Sequence, residues 1–248
     1  MNAFPAANRL IEPFTGSGAV FHSTAYPAYL LGEENKDLVR LFQQLQVQQE
    51  SFISYCKSFF NPLNNASERY YELREQFNQC ADPRMRSALF LYLNRHGYNG
   101  LCRYNQQGIY NVPFGRYIKP YFPEKEMRFF YNKSFCATFV HSDFQQTFLS
   151  ATPGDLIYCD PPYSPLIQGS NFSAYTHKKF GESEHKMLAH LAKDAASRGI
   201  TVIISNHDTA FTQALYEGAE IRSFGVKRLI SCHSKNRLPV AELLAIFR

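Results

Sequence analysis

The chain has 248 residues, 45% of them hydrophobic and 19% charged. That balance suits one domain, or one domain with a sizeable insertion, and excludes a disordered chain. Net charge is +5 and the six cysteines, at 56, 80, 102, 136, 159 and 232, include no CxxC pair, which excludes a clustered zinc site and reads as reduced, mostly buried thiols. No run approaches the roughly 20 apolar residues of a membrane span, and no basic segment leads into an apolar run, so neither a membrane helix nor a signal peptide is expected.

In chain order, the first strand is predicted at Arg9–Phe14 and ends in the small-residue turn Thr15-Gly16-Ser17-Gly18. A second strand is predicted at Ala28–Glu33. From Asn35 to Arg95 the spacing of Leu38, Phe42 and Leu45, and later of Ala88, Leu89, Tyr92 and Leu93, predicts helices broken at Pro62 and Pro83. Residues 97–122 differ: glycines stand among aromatic and basic residues, and Gln107-Gly108 reads as a hairpin turn. Strands are then predicted at Ala137–His141, Asp155–Asp160, Thr201–Asn206, Glu220–Val226 and Glu242–Phe247, with a helix over Glu182–Arg198. Strands alternating with helices imply an α/β fold with a mainly parallel seven-stranded sheet, and a largely helical insertion follows its second strand.

The positive charge is localised. Residues 81–135 hold Arg84, Arg86, Arg95, Arg103, Arg116, Lys119, Lys125, Arg128 and Lys133 against Asp82, Glu124 and Glu126, leaving 17 basic and 18 acidic residues elsewhere. Such a surplus is the footprint of a phosphate-binding surface or, equally, a solvated face with incidental charge.

Three motifs sit at strand ends. Glycines at 16 and 18 let the backbone turn sharply and approach a ligand after the first strand; a plain turn has the same composition. Glu33, ending the second strand, suits the ribose hydroxyls of an adenosine-containing cofactor, or the start of the following helix. Asp160-Pro161-Pro162-Tyr163 follows the apolar run Leu156-Ile157-Tyr158-Cys159. Two prolines fix the backbone and remove two donors, leaving carbonyls to face a ligand. An exocyclic amine needs acceptors for its two protons, which Asp160 and the Pro161 carbonyl supply. Tyr163 offers a face on which an extruded base stacks. A strand-terminating Pro-Pro turn is the structural alternative.

From residue 9 to the C-terminus the chain resembles the Dam-type DNA adenine-N6 methyltransferases. The resemblance rests on EPFTGSGAVF at 12–21, FLYLNRHGYNGLCRYNQQGIYNVPFGRYIKPYFP at 90–123, YCDPPY at 158–163 and VIISNHD at 202–208. It implies a class I methyltransferase Rossmann-like sheet with an inserted, mainly helical DNA-recognition domain containing a β-hairpin. Residues 1–36 and 134–248 would be catalytic and residues 37–133 would recognise the target. S-adenosylmethionine would be the cofactor and double-stranded DNA the partner, with no metal, membrane or obligate protein partner. The setting would be cytoplasmic, on a prokaryotic nucleoid or from a phage.

By the same resemblance, Glu12, Phe14, Gly16 and Gly18 border the cofactor's methionine end and Glu33 holds its ribose. Asp143 and Phe144, closing the third strand, flank its adenine. Asp160, Pro161, Pro162 and Tyr163 form the catalytic pocket, Asp160 also touching the cofactor. Tyr98 wedges into the base stack and Asn99 fills the vacated space. Arg103 donates to a guanine edge, Leu101 and Pro113 meet thymine methyls, and Arg116 and Lys119 contact the backbone. The target implied is GATC.

Family members begin further upstream, with a Gly-Lys motif covering the cofactor. The expectation is therefore that one wall of the cofactor pocket lies outside this chain. The alternative is a DNA-binding protein with a degenerate, inactive cofactor site. Methylation of RNA or of a protein glutamine amide is a third reading; relatives that do so usually carry Asn in place of Asp160.

Overall fold

The computed structural model describes residues 4–163, 180–226 and 240–248. Its strands are β1 (Arg9–Glu12), β2 (Tyr29–Glu33), β3 (Ala137–His141), β4 (Asp155–Cys159), β5 (Thr201–His207), β6 (Glu220–Val226) and β7 (Val240–Phe247). They form one sheet in the order β3-β2-β1-β4-β5-β7-β6. β1 runs parallel to β2 and β4, and β4 parallel to β5, while β7 is antiparallel to both β5 and β6. This is the α/β sheet the sequence implied, with an antiparallel edge. Leu10, Ile11, Leu156, Ile157, Val202, Ile203 and Ile204 are fully buried, and each such side chain contributes about 1.5–3 kcal/mol. These are the near-continuous apolar runs of strands covered on both faces.

The helices are α1 (Ala19–Ser23), α2 (Lys36–Ser58), α3 (Ser67–Gln79), α4 (Pro83–His96), α5 (Glu124–Ser134), α6 (Phe144–Leu149), α7 (Glu182–Ser197) and α8 (Ala210–Leu215). The two prolines act where the sequence placed them. Pro83 occupies the first turn of α4, where no N–H is needed, and Asp82 caps it by accepting from Met85 N at 2.6 Å. Pro62 opens a short 3-10 turn, Pro62–Asn64. Gln49, at φ 49°, interrupts α2 without any sequence signal.

The chain divides into two compact units, residues 4–32, 142–163, 180–226 and 240–248 in one and residues 33–141 in the other. In the first unit β1 has β2 on one side and β4 on the other. The chain therefore switches direction across the sheet at β1, and in open α/β sheets ligands bind at the carboxyl ends of the strands beside such a switch. In the second unit α2 packs on α4 and α5, and α4 on α3. One sequence expectation is corrected here: Asp143 and Phe144 do not close the third strand, which ends at His141. Asp143 is the N-cap of α6, accepting from Gln146 N at 2.9 Å, and Phe144 is its first residue.

Candidate functional site

In the first unit, the turn after β1 is held by three short bonds. Thr15 N donates to the Gly32 carbonyl at 3.0 Å, Gly18 N to the Thr15 carbonyl at 2.8 Å, and Thr15 Oγ1 to the Glu12 carbonyl at 3.2 Å. Gly16 and Gly18 have φ of 50° and 75°, a region costly for any side chain. A Cβ on Gly16 would meet nothing within 4 Å, so the backbone here borders open space. Glu12 ends the strand as a buried carboxylate. Phe14 stacks on Phe144 with centroids 5.4 Å apart, and Phe180 meets both edge-on at 5.5 and 5.7 Å. A glycine turn open on one side, a deep carboxylate and an aromatic wall can border a ligand at the carboxyl end of β1.

β4 ends beside this turn. Asp160 is exposed at the strand's carboxyl end, and one of its oxygens, Oδ1, accepts from Ser205 Oγ at 2.8 Å. Tyr158 OH donates to the same Ser205 Oγ at 3.3 Å. Burial, and next the charge of Asp160, push the Tyr158 phenol up to about 12, so it remains a donor. Half-buried Tyr163 is likewise held neutral by burial and Asp160; its ring meets His207 edge-on at 4.8 Å and its OH reaches Glu242 Oε2 at 3.4 Å. This arrangement can orient an amine at Asp160 and present a flat face beside it.

In the second unit, Glu33 ends β2, and its Oε1 accepts from Asn35 N at 2.8 Å. Asn35 caps α2 through Asp37 N and Leu38 N, and its amide donates to Cys102 Sγ at 3.3 Å. Glu33 thus supports the helix start.

The reversal expected within 97–122 is present as two antiparallel bridges, Gly97 with Phe114 and Tyr104 with Tyr110, rather than as regular strands. Its tip is an Asn105 turn: Oδ1 accepts from Gln107 N and Ile109 N at 2.9 and 3.0 Å, and Gly108 takes φ 79°. Tyr98, Asn99, Arg103, Pro113, Arg116 and Lys119 are exposed, and Leu101 is half-buried. Asn99 sits at φ 53°, its N–H donating to Tyr117 OH at 2.9 Å. Arg103 lies against Asn111, with Nε donating to Oδ1 at 2.8 Å and Nη2 to the carbonyl at 3.1 Å.

Much of the positive charge counted in 81–135 is used internally. Arg86 forms a bidentate pair with buried Asp37, Arg128 pairs with Glu50 and Glu124, and Arg84 lies over the Tyr55 ring. The sequence missed Ser205, Glu242, Phe180 and Asn111. For Ser205 a signal existed: polar residues ending the buried strand Thr201–His207. Among the described residues no group of three His, Cys, Asp or Glu is placed to hold a metal ion, and no helix is long and apolar enough to cross a membrane.

A family model described as "D12 class N6 adenine-specific DNA methyltransferase" matches residues 1–230. Relatives named "DNA adenine methylase" include one from Vibrio cholerae, 46% identical over 244 residues, covering 98% of this chain and 88% of that one. The Haemophilus influenzae protein of that name is 46% identical, covering 99% and 87% of the two chains. The Escherichia coli one is 42% identical, covering 98% and 88%.

Proposed function

The chain belongs to the D12 class N6 adenine-specific DNA methyltransferases, and from that premise we propose that it methylates adenine within GATC of duplex DNA, acting on a base swung out of the helix. The enzyme is an adenine-specific DNA methyltransferase, DNA is its substrate, and family membership implies S-adenosylmethionine as methyl donor.

The observation that carries the site reading is Asp160, exposed at the end of β4 with Oδ1 already engaged by Ser205. Oδ2 is the oxygen left for an incoming amine. The adenine N6 donates one proton there and the other to the Pro161 carbonyl, which raises electron density on the nitrogen. Tyr163 stacks on the base, whose extrusion is required because N6 is otherwise inside the duplex. S-adenosylmethionine, when bound, supplies an electrophilic methyl on its sulfonium. Glu12, Phe14, Gly16 and Gly18 face its methionine end, Asp143 and Phe144 its adenine, and Glu33 its ribose.

For DNA, exposed Tyr98 and Asn99 enter the base stack, Arg103 reads guanine, Leu101 and Pro113 meet thymine methyls, and Arg116 and Lys119 hold phosphates. Residues 37–133 carry target recognition and residues 1–36 with 134–248 carry catalysis. A duplex substrate implies work in the cytoplasm, on a nucleoid or on phage DNA.

The test is transfer of labelled methyl to a GATC duplex and to duplexes changed at one base pair. Labelling confined to GATC is expected; equal labelling of the changed duplexes removes the GATC assignment. Asp160→Ala is expected to abolish transfer while duplex affinity stays within about twofold, because the carboxylate acts at the reacting amine rather than at the phosphates. Normal turnover in that variant removes the site assignment.

A further inference from the structure

His185 lies in the first turn of α7, fully buried, and neither ring nitrogen has a hydrogen-bond partner. A buried polar group left unsatisfied calls for an explanation, which is often a role in a site. The ring is fixed by aromatic neighbours: Phe180 meets it edge-on at 4.8 Å and Phe211 at 6.2 Å. Burial pushes its pKa down to about 4, opposed by the Glu184 carboxylate and the Pro162 backbone. Proline has no N–H, so the Pro162 group that favours a proton on this ring is its carbonyl. That carbonyl is therefore the backbone acceptor nearby, although neither ring nitrogen has a hydrogen-bond partner.

Pro162 is the third residue of the catalytic loop. Its ring and that of Pro161 fix both φ angles, so the loop's soft torsions are the two ψ angles and those of Tyr163. A donor on the Pro162 carbonyl would set the plane of the Pro162–Tyr163 peptide, and with it the direction of the Tyr163 ring. Tyr163 is bounded on its other side by His207. A neutral imidazole carries one N–H, which suits that task.

We propose that His185 is a positioning residue of the target-adenine pocket: its ring N–H donates to the Pro162 carbonyl when a base stacks on Tyr163, locking the Asp160–Tyr163 loop. The proposal rests on reading that loop as the adenine pocket. Phe180, in contact with Phe14, Phe144 and His185, places the ring between the aromatic wall and the loop.

The experiment compares His185→Leu and His185→Gln with Asp160→Ala. Single-turnover methylation is measured, together with the fluorescence of 2-aminopurine placed at the target adenine. Leu fills the apolar surroundings but cannot donate; Gln keeps an N–H. The proposal expects His185→Leu to lower kcat at least about tenfold with the KM for S-adenosylmethionine unchanged, and Gln to restore most of it. A packing role makes the opposite prediction, since Leu removes an unsatisfied polar group and should be the better replacement. Full kcat in His185→Leu, or equal losses in Leu and Gln, overturns the proposal. Loss in His185→Leu beside normal turnover in Asp160→Ala would instead overturn the reading of the pocket. Should His185→Leu fail to fold, ¹⁵N-histidine NMR of the unaltered enzyme decides. With duplex and a non-reactive cofactor analogue bound, the ring N–H should exchange more slowly than in the free protein; unchanged exchange overturns the proposal.

Discussion

Ser205 Oγ stands 2.8 Å from Asp160 Oδ1, so a hydroxyl from β5 holds a carboxylate that follows β4. Parallel register puts Cys159 opposite Ile204, and the next residue of each strand meets at the carboxyl edge. The hydrogen bond is a consequence of strand pairing. It leaves Oδ2 as the oxygen proposed to meet the target amine.

Ser205→Ala should therefore lower kcat while leaving duplex affinity unchanged. A hydrogen bond to a charged group contributes about 1.5–3 kcal/mol, so a loss of roughly 10- to 100-fold is expected if the bond is kept through the reaction. Steady-state kinetics at saturating cofactor will show this. An unchanged kcat would mean that Asp160 is held without Ser205.

A buried carboxylate governs stability rather than chemistry. Asp37 Oδ1 accepts from Arg86 Nε at 2.6 Å, and Oδ2 accepts from Arg86 Nη2 at 2.9 Å and from Tyr104 OH at 2.8 Å. This joins α2, α4 and the hairpin. Arg86→Ala leaves the buried carboxylate with only the more distant Arg40, 3.8 Å from Oδ1, as a cation, and should cost up to about 3–5 kcal/mol in urea denaturation. Tyr104→Phe removes one donor and should cost about 1–3 kcal/mol. Arg86→Ala combined with Asp37→Leu should be less destabilised than Arg86→Ala alone; an additive loss would show that the charges are not coupled.

The central strands were legible because buried parallel strands are continuous apolar runs, as in Leu156-Ile157 and Val202-Ile203-Ile204. The Asp-Pro-Pro-Tyr loop was legible because proline chemistry is local. What failed was long-range. Ser205 acquires its partner only through sheet register, 45 positions from Asp160. Arg86 looked like part of a phosphate-binding surface until Asp37, 49 positions earlier, proved to be its partner. The resemblance set Asp143 and Phe144 at the close of the third strand, whereas the strand pattern ended at His141, where the strand does end. Asp143 capping decides for the helix.

Acid sensitivity should come first from histidine. His96 stacks on Tyr92 at 4.0 Å, is buried, and has its pKa pushed down to about 4 by burial, against a hydrogen bond to the Tyr92 carbonyl. A depressed folded pKa means the unfolded chain takes up the proton first. The stability is fully present above pH 6.5 and is lost as pH falls toward 4. By pH 5.5 the loss is roughly 1 kcal/mol for such a histidine, and most carboxylates have not yet titrated. Urea midpoints at pH 7.5 and 5.5 should differ in the parent and differ less in His96→Gln. Equal differences would assign the effect elsewhere.

Sequence reading should depend on how Arg103 is held. Its Nε and one Nη2 hydrogen are engaged by Asn111, so the guanidinium plane is fixed while Nη1 and the other Nη2 hydrogen keep donor capacity. A fixed fork can make two hydrogen bonds to guanine O6 and N7, worth about 1–3 kcal/mol of discrimination. Arg103→Ala should cost that much on a GATC duplex and little on one whose guanine has been replaced. Asn111→Ala keeps the arginine but frees its plane, so discrimination should fall part of the way, because ordering the side chain then opposes binding. Lys119 is the control. A phosphate contact weakens binding to all sequences alike and lowers the slope of affinity against salt by about one. Titrations of the three variants against both duplexes at two salt concentrations separate these outcomes. If Arg103→Ala and Lys119→Ala behave identically on both duplexes, Arg103 holds the backbone and guanine is read by another residue.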